Sequence, residues 1–355
     1  MEKQMQTTSS LAKPNGKNEV RGRNKVSAAA DAAIAAFVQA TVQAGVEGLR
    51  REFAEIKGYM PATPACTAFS EPANEARNRY KDVVCLDQTR VVLTLNVPPE
   101  TDYVHANFVK MEGVDRVFIA AQGPLEGTTA DFWRMVYQES VSTILMLSRC
   151  EEAGKIKCFQ YWPTEQGAYK NYGAMFTEQR DRFITFTLEV LPDGCSNSCI
   201  VHLIQMVDWP DRGVPTSGMS VLRLLKMLPK NKHAGPTVIH CSAGIGRTGT
   251  IMCVETAISR LWKGQAVEVC SSAPLHPPTR SLQMKKVVCE LRDRRASMVQ
   301  TEGQFVFAHL VVLCYINVSP LRPLARLIEG NQAKMPKHRS AVMEFYEQFR
   351  QAQLN

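Results

Sequence analysis

Apolar residues recur at intervals of three and four along residues 27–57, near the start of the chain. The series is Ile34, Phe37, Val38, Val42, Val46, Leu49, Phe53 and Ile56. This spacing places the apolar side chains on one face of a helix, which a folded domain can bury. Glycines at positions 45 and 48 interrupt the pattern. The sequence therefore predicts either one helix or two helices broken near these glycines.

Farther along the chain, the pattern changes to the alternation that is typical of β-strands. Residues 180–191 read RDRFITFTLEVL, in which every second residue from Ile184 to Val190 is apolar. Such alternation predicts a strand with one face in water. The PDG turn at 192–194 and a second strand pattern at 200–207 complete a predicted hairpin. The apolar segments TILML at 143–147 and TVIH at 237–240 indicate buried strands.

Helical patterns alternate with these strands. They cover DFWRMVYQES at 131–140, VLRLLKMLP at 221–229, the strongly apolar segment 305–316, and residues 341–353 near the end of the chain. Mixed strands and helices without an internal repeat predict an α/β fold. We expect one globular domain over residues 27–316, with its N-terminal helices at 27–60. A basic C-terminal extension with one helix would follow at 317–355.

The positive charge of the chain is unevenly distributed. The 355 residues carry a formal net charge of +8, and residues 1–26 hold six basic residues against two acidic ones. Because that stretch has almost no large apolar residues, we expect it to be a disordered basic tail. The overall charge favours acidic or phosphorylated partners, and no feature of the sequence requires a nucleic acid. The sequence leaves the oligomeric state open.

The cysteines and the apolar runs indicate a compartment. Eleven cysteines are scattered along the chain; this odd number, without the spacing of a disulfide framework, predicts a reducing environment. The chain has no signal-peptide pattern at its N-terminus. Its longest apolar run, 305–316, is twelve residues long, short of the roughly 20 that cross a bilayer. We therefore expect no membrane span and a location in the cytosol, with the nucleus as the alternative.

The candidate chemistry lies in residues 240–249, HCSAGIGRTG. Gly244, Gly246 and Gly249 spell the G-x-G-x-x-G pattern of a dinucleotide-binding turn, and Glu268 follows 19 residues after the last of them. However, the residues CSA separate the predicted strand from the first glycine, and no second βαβ half surrounds the motif. The dinucleotide interpretation is therefore disfavoured.

The same stretch also fits a phosphate-binding loop with a nucleophile. Cys241 is followed, after five residues, by Arg247. Glycines and small neighbours let backbone N–H groups turn inward as an anion nest, and the helix that begins near Thr248 adds its positive end. A thiol beside such a nest is favoured as the thiolate, and an arginine binds two phosphate oxygens at once. The loop therefore predicts attack by the cysteine sulfur on phosphorus.

A metal site has less support in the sequence. Cys195, Cys199 and His202 form a loose C-x3-C-x2-H cluster. No fourth ligand is evident, however, and the predicted hairpin explains the three positions. The clustered Asp and His ligands of a metal-dependent phosphatase are also missing from the pattern. We therefore expect a site that uses neither a metal nor a cofactor.

Several segments, in order along the chain, resemble the protein tyrosine phosphatase family. VIHCSAGIGRTG is similar to its signature loop, WPDRGVP to its acid loop, RNRYKDV to its phosphotyrosine-recognition loop and VQTEGQFVF to its glutamine loop. DYVHANFV, AQGP and CFQYWP match further landmarks. The resemblance runs from about residue 77 to residue 316 and implies a highly twisted mixed β-sheet flanked by helices. The N-terminal helical segment is also similar to that of the small cytosolic tyrosine phosphatases abundant in nematodes.

The resemblance implies a role for each matched residue. Cys241 would be the nucleophile that forms a phosphocysteine, and Arg247 would clamp the phosphate. Asp211 would act as general acid and then as general base, while Thr248 helps to expel the thiolate and Gln300 positions the hydrolytic water. The implied substrate-binding residues are Tyr80, Asp82, Ser242, Ala243, Gly244, Ile245, Gly246 and Gln304. The implied supporting residues are His240, Glu152, Lys157 and Trp209.

Two features depart from the family pattern. Val104 and His105 stand where the family usually has isoleucine and asparagine, and His105 brings into question the support that this asparagine gives to the signature loop. The proline-rich segment 271–281 has the character of a surface insertion that contacts partners. The implied activity is hydrolysis of phosphotyrosine in proteins. The alternative is a catalytically silent phosphotyrosine-binding module, which would be expected to lack Cys241, Asp211 or Arg247.

Overall fold

The computed structural model describes residues 27–61, 64–163, 175–180, 183–192, 194–210, 213–229, 235–265, 282–318 and 335–354. Its helices are α1 (Ala28–Ile56), α2 (Thr67–Ser70), α3 (Thr129–Gln138), α4 (Gly218–Met227), α5 (Gly246–Trp262), α6 (Met284–Arg294), α7 (Glu302–Val318) and α8 (Met335–Leu354). Its strands are β1 (Arg90–Val92), β2 (Tyr103–Lys110), β3 (Val117–Ala121), β4 (Thr143–Met146), β5 (Glu151–Glu152), β6 (Lys155–Ile156), β7 (Met175–Arg180), β8 (Phe183–Val190), β9 (Cys199–Met206) and β10 (Thr237–His240). The predicted tail at 1–26 and the predicted insertion at 271–281 lie outside the described residues.

Eight strands form one mixed sheet in the order β1-β2-β3-β10-β4-β9-β8-β7. The four central strands β3, β10, β4 and β9 run parallel. Antiparallel neighbours extend the sheet on both sides, and β5 and β6 form a separate hairpin. Parallel strands need crossover connections, which place helices over the faces of the sheet. The predicted α/β fold with a mixed sheet is confirmed.

Successive residues of the central strands face two different cores. In β10, Val238 packs with α3 while Ile239 packs with α1, α5 and α7. Ile144 and Leu145 of β4 divide in the same way, because neighbouring side chains of a strand point to opposite faces. Both faces are dry, which explains why these strands read as unbroken apolar runs in the sequence.

Helix α1 is broken where the glycines predicted a break. Gly45 has φ 60° and ψ −178°, outside the helical region. The hydroxyl of Ser27 caps the helix by accepting from Ala30 N at 3.1 Å. By length and composition α1 is the one described helix that could cross a membrane. Its apolar residues, such as Phe37 and Phe53, lie buried in the core of the domain, as in the core helix of a folded domain.

The other predicted elements are present with shifted ends. The hairpin consists of β8 and β9, and α3, α4 and α7 each begin two or three residues before the predicted segments. Helix α8 begins at Met335 instead of residue 341, and it buries Phe345 and Phe349 in the core that contains α1 and α7. The C-terminal helix therefore adds to the hydrophobic core, while the domain limits at 27 and 316 stay a prediction.

Candidate active site

The signature loop, residues 241–245, connects β10 to α5 at the carboxyl end of a central parallel strand. Ligands of parallel sheets usually bind at this end. Gly244 has φ +70°, and a Cβ on it would lie 2.0 Å from the carbonyl oxygen of Ala121. Only glycine tolerates both that conformation and that contact. The residue type at position 244 therefore lets the loop pass directly over the end of β3.

All five carbonyl groups of the signature loop are engaged on its outer side. Their donors are His240 Nδ1 to Cys241 O (3.2 Å), Gly123 N to Ser242 O (2.8 Å), Arg295 Nη2 to Ala243 O (2.9 Å), Arg295 Nε to Gly244 O (2.8 Å) and Val299 N to Ile245 O (3.1 Å). In a trans peptide the C=O and the following N–H point in opposite directions. The N–H groups of the loop therefore turn inward and form an anion nest that exists before any ligand binds.

Cys241 lies within this nest, with only 5% of its surface exposed. The N–H of Gly244 donates to its Sγ at 3.3 Å, and the Thr248 hydroxyl donates at 3.5 Å. Helix α5 begins at Gly246, so its positive end points at the same sulfur. The surroundings of the sulfur are therefore those of a group that carries or meets negative charge.

Arg247 is fixed by a carboxylate at the entrance of the loop. Its Nη1 and Nη2 each donate to a different oxygen of Glu152 at 2.7 Å, and Nη1 also donates to Leu147 O at 2.8 Å. The N–H of Arg149 in turn donates to Glu152 Oε1 at 3.1 Å. A two-point contact sets the plane of a guanidinium. The β5–β6 hairpin, which carries Glu152, therefore orients Arg247.

Tyr80 of the recognition loop contacts the signature loop directly. Its hydroxyl lies 2.8 Å from Ser242 Oγ, which also donates to the carbonyl oxygen of Lys157 at 3.1 Å. Arg79 fixes the recognition loop by donating to two carbonyl oxygens of the segment 123–124, at 2.9 and 2.8 Å. Asp82 follows on the exposed side of this loop. Tyr80 and Ser242 thus form one wall of the site.

The two predicted glutamines lie beside the start of α5. Gln304 Oε1 accepts from the backbone N–H of Gln300 at 2.9 Å. A Cβ built on Gly246 would lie 2.9 Å from Gln304 Nε2 and 3.2 Å from Gln300 Oε1, so both side chains reach the signature loop. Val299 has φ 57°, a strained value for a β-branched residue. Its hydrogen bond to the carbonyl of Ile245 helps to hold it there.

The structure describes the acid loop at residues 209–210 and 213–215, on either side of the predicted general acid. Trp209 is buried and donates from Nε1 to Gly213 O at 3.0 Å, and its ring meets Phe307 edge-on at 6.0 Å. Asp211, the predicted general acid, lies outside the described residues. The loop residues on its N-terminal side and the β5–β6 hairpin line a cleft of about 680 Å³. This cleft lies next to Glu152, the partner of Arg247.

His240 connects the signature loop to the core beneath α3. Its Nδ1 faces the Cys241 carbonyl and must carry the hydrogen, so Nε2 accepts from the Tyr161 hydroxyl at 2.7 Å. Burial lowers the pKa of His240 to about 4. The ring is therefore neutral near pH 7, and it fixes the backbone carbonyl of Cys241 from the side of the α3 core.

His105 supports the signature loop through Arg295. The Arg295 Nη2 that donates to Ala243 O also donates to His105 Nδ1 at 3.1 Å, while Nη1 donates to Asn107 Oδ1 at 2.7 Å. Burial, and next the Arg295 charge, lower the pKa of His105 to about 3. The neutral ring keeps Nδ1 as an acceptor and donates from Nε2 to Val83 O at 2.8 Å. His105, which stands where the family usually has asparagine, thus accepts a hydrogen bond from the arginine that holds the signature loop.

The sequence patterns did not single out Arg295, Tyr161 or Asn107. Arg295 is completely buried, although it stands in the charged run RDRR, which is typical of a solvated helix end. One signal was present in the sequence. Arg292 and Arg295 continue the three- and four-residue spacing of Val288 and Leu291. Arg292 therefore falls on the apolar face of α6, and Arg295, the residue that follows the helix, is predicted to turn to the same side.

Among the described residues, no group of three or more His, Cys, Asp or Glu side chains is placed to hold a metal ion. His202, from the loose cluster with Cys195 and Cys199, instead lies 3.3 Å from the hydroxyl of Thr187 on the neighbouring strand. The hairpin accounts for these three positions, and the structure gives the zinc alternative no support.

Comparison with known proteins agrees with this arrangement. The family model for the protein-tyrosine phosphatase matches residues 74–314. A solved structure of PTPN18, from a study of its fingerprint on distinct HER2 tyrosine phosphorylation sites, aligns with a TM-score of 0.65 and 31% identity. That alignment covers 78% of this chain and 98% of the solved chain.

Curated relatives give the same family. The chain is 35% identical to tyrosine-protein phosphatase 1 of Caenorhabditis elegans over 71% of this chain and 24% of that protein. It is 33% identical to human tyrosine-protein phosphatase non-receptor type 20, over 69% of this chain and 55% of that protein. With Danio rerio receptor-type tyrosine-protein phosphatase F it shares 34% identity, over 68% of this chain but 12% of that protein. The chain thus spans less than two thirds of the length of each of these relatives, and it belongs to the protein-tyrosine phosphatase family.

Proposed function

We propose that this protein hydrolyses phosphotyrosine in proteins through a phosphocysteine intermediate. The observation that carries the proposal is the signature loop, in which five engaged carbonyls leave the N–H groups facing Cys241 Sγ. Arg247, held by Glu152, completes the anion site. Family membership supports the same activity.

In the first step, the loop N–H groups and Arg247 bind the phosphate dianion, and Sγ attacks phosphorus. The P–S bond forms while the P–O bond to the tyrosine ring breaks. We assign the proton that the leaving phenolate oxygen takes up to Asp211, as in the family pattern. Tyr80 would line the slot for the ring, and this restricts the site to a phosphate carried on a long aromatic side chain.

In the second step, water cleaves the phosphocysteine. Asp211, now ionised, removes a proton from the water, which Gln300 positions, and the P–O bond forms as the P–S bond breaks. The sulfur leaves as a thiolate. The Thr248 hydroxyl, 3.5 Å from Sγ, would donate to that developing charge. Inorganic phosphate is then released.

The direct test is turnover of an aryl phosphate and of a phosphotyrosyl peptide in the presence of EDTA. We expect wild-type protein to release phosphate and Cys241→Ser to lose at least about 10⁴-fold in kcat, as nucleophile replacements do. Cys253→Ser is the matched control, because Cys253 is buried in α5 away from the site. Full activity of Cys241→Ser, or none in wild type, would refute the proposal.

A second test separates an enzyme from a silent phosphotyrosine-binding module. Asp211→Ala should slow the first step, because the leaving group must depart as a phenolate, while the phosphate site stays intact. This variant should retain phosphotyrosyl proteins on affinity capture, and vanadate should release them. A wild-type rate for Asp211→Ala would show that another group supplies the proton.

A further inference from the structure

A cavity of about 310 Å³ lies on the helical side of the domain, and none of its lining residues belongs to the site described above. Its walls come from α1 on both sides of the break at Gly45, from the segment that leads into α6, and from α7. This volume is at the lower end of the range of small-molecule sites. The polar groups on the walls decide which ligands it suits.

His309 of α7 supplies an acceptor on the cavity wall. The residue is only 3% exposed, and its Nδ1 lies 2.9 Å from the Phe305 carbonyl oxygen. A carbonyl only accepts, so Nδ1 carries the hydrogen and Nε2 has a lone pair. Burial lowers the pKa of His309 to about 4, which keeps the ring neutral. Among the described residues, the bond to the Phe305 carbonyl is the one hydrogen bond of the His309 side chain, so its Nε2 is left to accept from a ligand.

Glu52 of α1 supplies a second acceptor. Burial raises the pKa of Glu52, and the Lys285 charge lowers it to a smaller extent. The nearby Lys285 is already paired, because its Nζ lies 2.8 Å from Glu55 Oε2. Among the described residues, no hydrogen bond reaches the Glu52 carboxylate, and the Lys285 ammonium attracts it only from beyond salt-bridge distance. A cationic group in the cavity would meet this carboxylate.

One wall of the cavity is flat and apolar. The Phe37 ring stacks on the His309 ring with centroids 5.8 Å apart and an interplanar angle of 9°. Leu49, Leu282 and Met284 add further apolar surface, and the other lining residues are Ala40, Thr41, Gln283 and Lys285. Aromatic faces and a thioether pack well against a planar ring. The cavity therefore combines a flat apolar wall and two acceptors with one cation, Lys285, whose ammonium group is already paired with Glu55.

From this arrangement we propose that the cavity binds a small aromatic amine whose ring system carries an N–H or O–H donor. The ring would pack against Phe37 and Met284, the ammonium would meet Glu52, and the ring donor would bond to His309 Nε2. An aliphatic acid or a phosphate would instead meet the Glu52 carboxylate, while Lys285, the cation on this wall, is already paired with Glu55. The site is separate from the phosphate nest.

Tryptamine is a suitable test ligand because it has an indole N–H and an ammonium group. Titration calorimetry with the full chain should show saturable binding with a Kd no weaker than about 1 mM, as expected for a ligand of this size. Excess vanadate, which occupies the phosphate nest, should leave the binding unchanged. 1-Methyltryptamine, without the N–H donor, should bind about tenfold more weakly.

Variants assign the binding to this cavity. Glu52→Gln should weaken tryptamine binding about tenfold, whereas Glu47→Gln, an exposed position one turn away, should not. Ala40→Trp should fill the cavity opening and abolish binding, while Ala35→Trp, also exposed on α1, should leave it intact. Thermal midpoints would confirm that all four variants are folded.

Three outcomes would overturn the proposal. They are the absence of saturable binding to wild type, displacement of tryptamine by vanadate, and equal affinity of wild type, Glu52→Gln and Ala40→Trp. Equal affinity for tryptamine and its 1-methyl derivative would remove the assigned role of His309.

Discussion

The signature loop and the acid loop are held in very different ways. Every carbonyl of residues 241–245 is bonded to a group on the outside of the loop, and two of them share the buried guanidinium of Arg295. In the described part of the acid loop, Trp209 supplies one side-chain hydrogen bond and one ring contact, and the loop borders an open cleft.

This difference matches the two tasks that we propose for the loops. An anion nest binds best when its N–H groups already point at the ligand, because no reorganisation is needed during the reaction. A proton donor must approach the leaving oxygen after the substrate has entered. Among the described residues, the buried side-chain donors of the domain therefore bind the signature loop at more points than the acid loop.

The largest effect is expected when Arg295, which fixes the signature loop from outside, is replaced. Arg295→Met removes the side-chain donor of two loop carbonyls and of His105 Nδ1, and it leaves Asn107 Oδ1 with only the weak Cys85 thiol donor. We expect kcat/KM for an aryl phosphate to fall at least about 100-fold and the free energy of unfolding to fall by about 3 kcal/mol or more. Arg295→Lys should recover little activity, because an ammonium lacks the planar fork.

Arg294→Met provides the control, since Arg294 is exposed one position away. Steady-state kinetics and urea unfolding would measure both quantities. A fully active Arg295→Met protein would show that the loop keeps its shape without the guanidinium.

A smaller effect is expected at the acid loop. Trp209→Phe keeps a ring against Phe307 but removes the hydrogen bond to Gly213. We expect kcat to fall about 3- to 10-fold with little change in KM, as the loss of one hydrogen bond in the acid loop implies. Trp262→Phe should have no such effect, because the Trp262 indole N–H is buried and has no hydrogen-bond partner among the described residues. A raised KM for Trp209→Phe would instead place this hydrogen bond in phosphate binding.

The smallest effect on activity is expected for His105→Asn, which keeps an acceptor for Arg295. Its activity should stay within about threefold of wild type, but its pH dependence of stability should change. The folded-state pKa of His105 is lowered to about 3, so the unfolded chain binds more protons below pH 6.5. The stabilisation is therefore complete above about pH 6.5 and decreases as the pH falls toward 3.

Removal of this histidine should make the unfolding free energy less sensitive to acid by up to about 1.4 kcal/mol per pH unit below pH 6. Urea unfolding at several pH values would measure the slope. An identical slope for wild type and His105→Asn would mean that the His105 ring is not kept neutral.

Part of the proposed site could be located from the sequence because several of its residues are neighbours in the chain. Cys241, Arg247 and Thr248 lie within eight residues, and the helix start after the glycines places them around one sulfur. The break in α1 and the β8–β9 hairpin were also predicted, since their signals are local. Tyr80, Glu152 and the two glutamines lie in distant segments, and only the family resemblance predicted that they belong to the site.

The groups that fix the loop from outside were harder to predict. Arg295 is 51 residues from Gly244 in the chain, and its role depends on the packing of α6 against β2. Tyr161 is 79 residues from His240 in the chain, and it contributes to the site through one buried hydrogen bond to the His240 ring. Spacing along a sequence carries no information on such long-range contacts. Only the apolar spacing that runs along α6 and on to Arg295 indicates that this side chain turns inward.

The hydrogen bonds from outside to the five loop carbonyls imply that the surrounding domain determines the shape of the nest. A peptide with the sequence HCSAGIGRTG has none of these donors except its own histidine, so its backbone would have no reason to direct all its N–H groups to one point. Transplanting the activity into another protein would require the donors at positions 123, 295 and 299 together with the loop. The motif identifies the site, and the surrounding scaffold gives it its form.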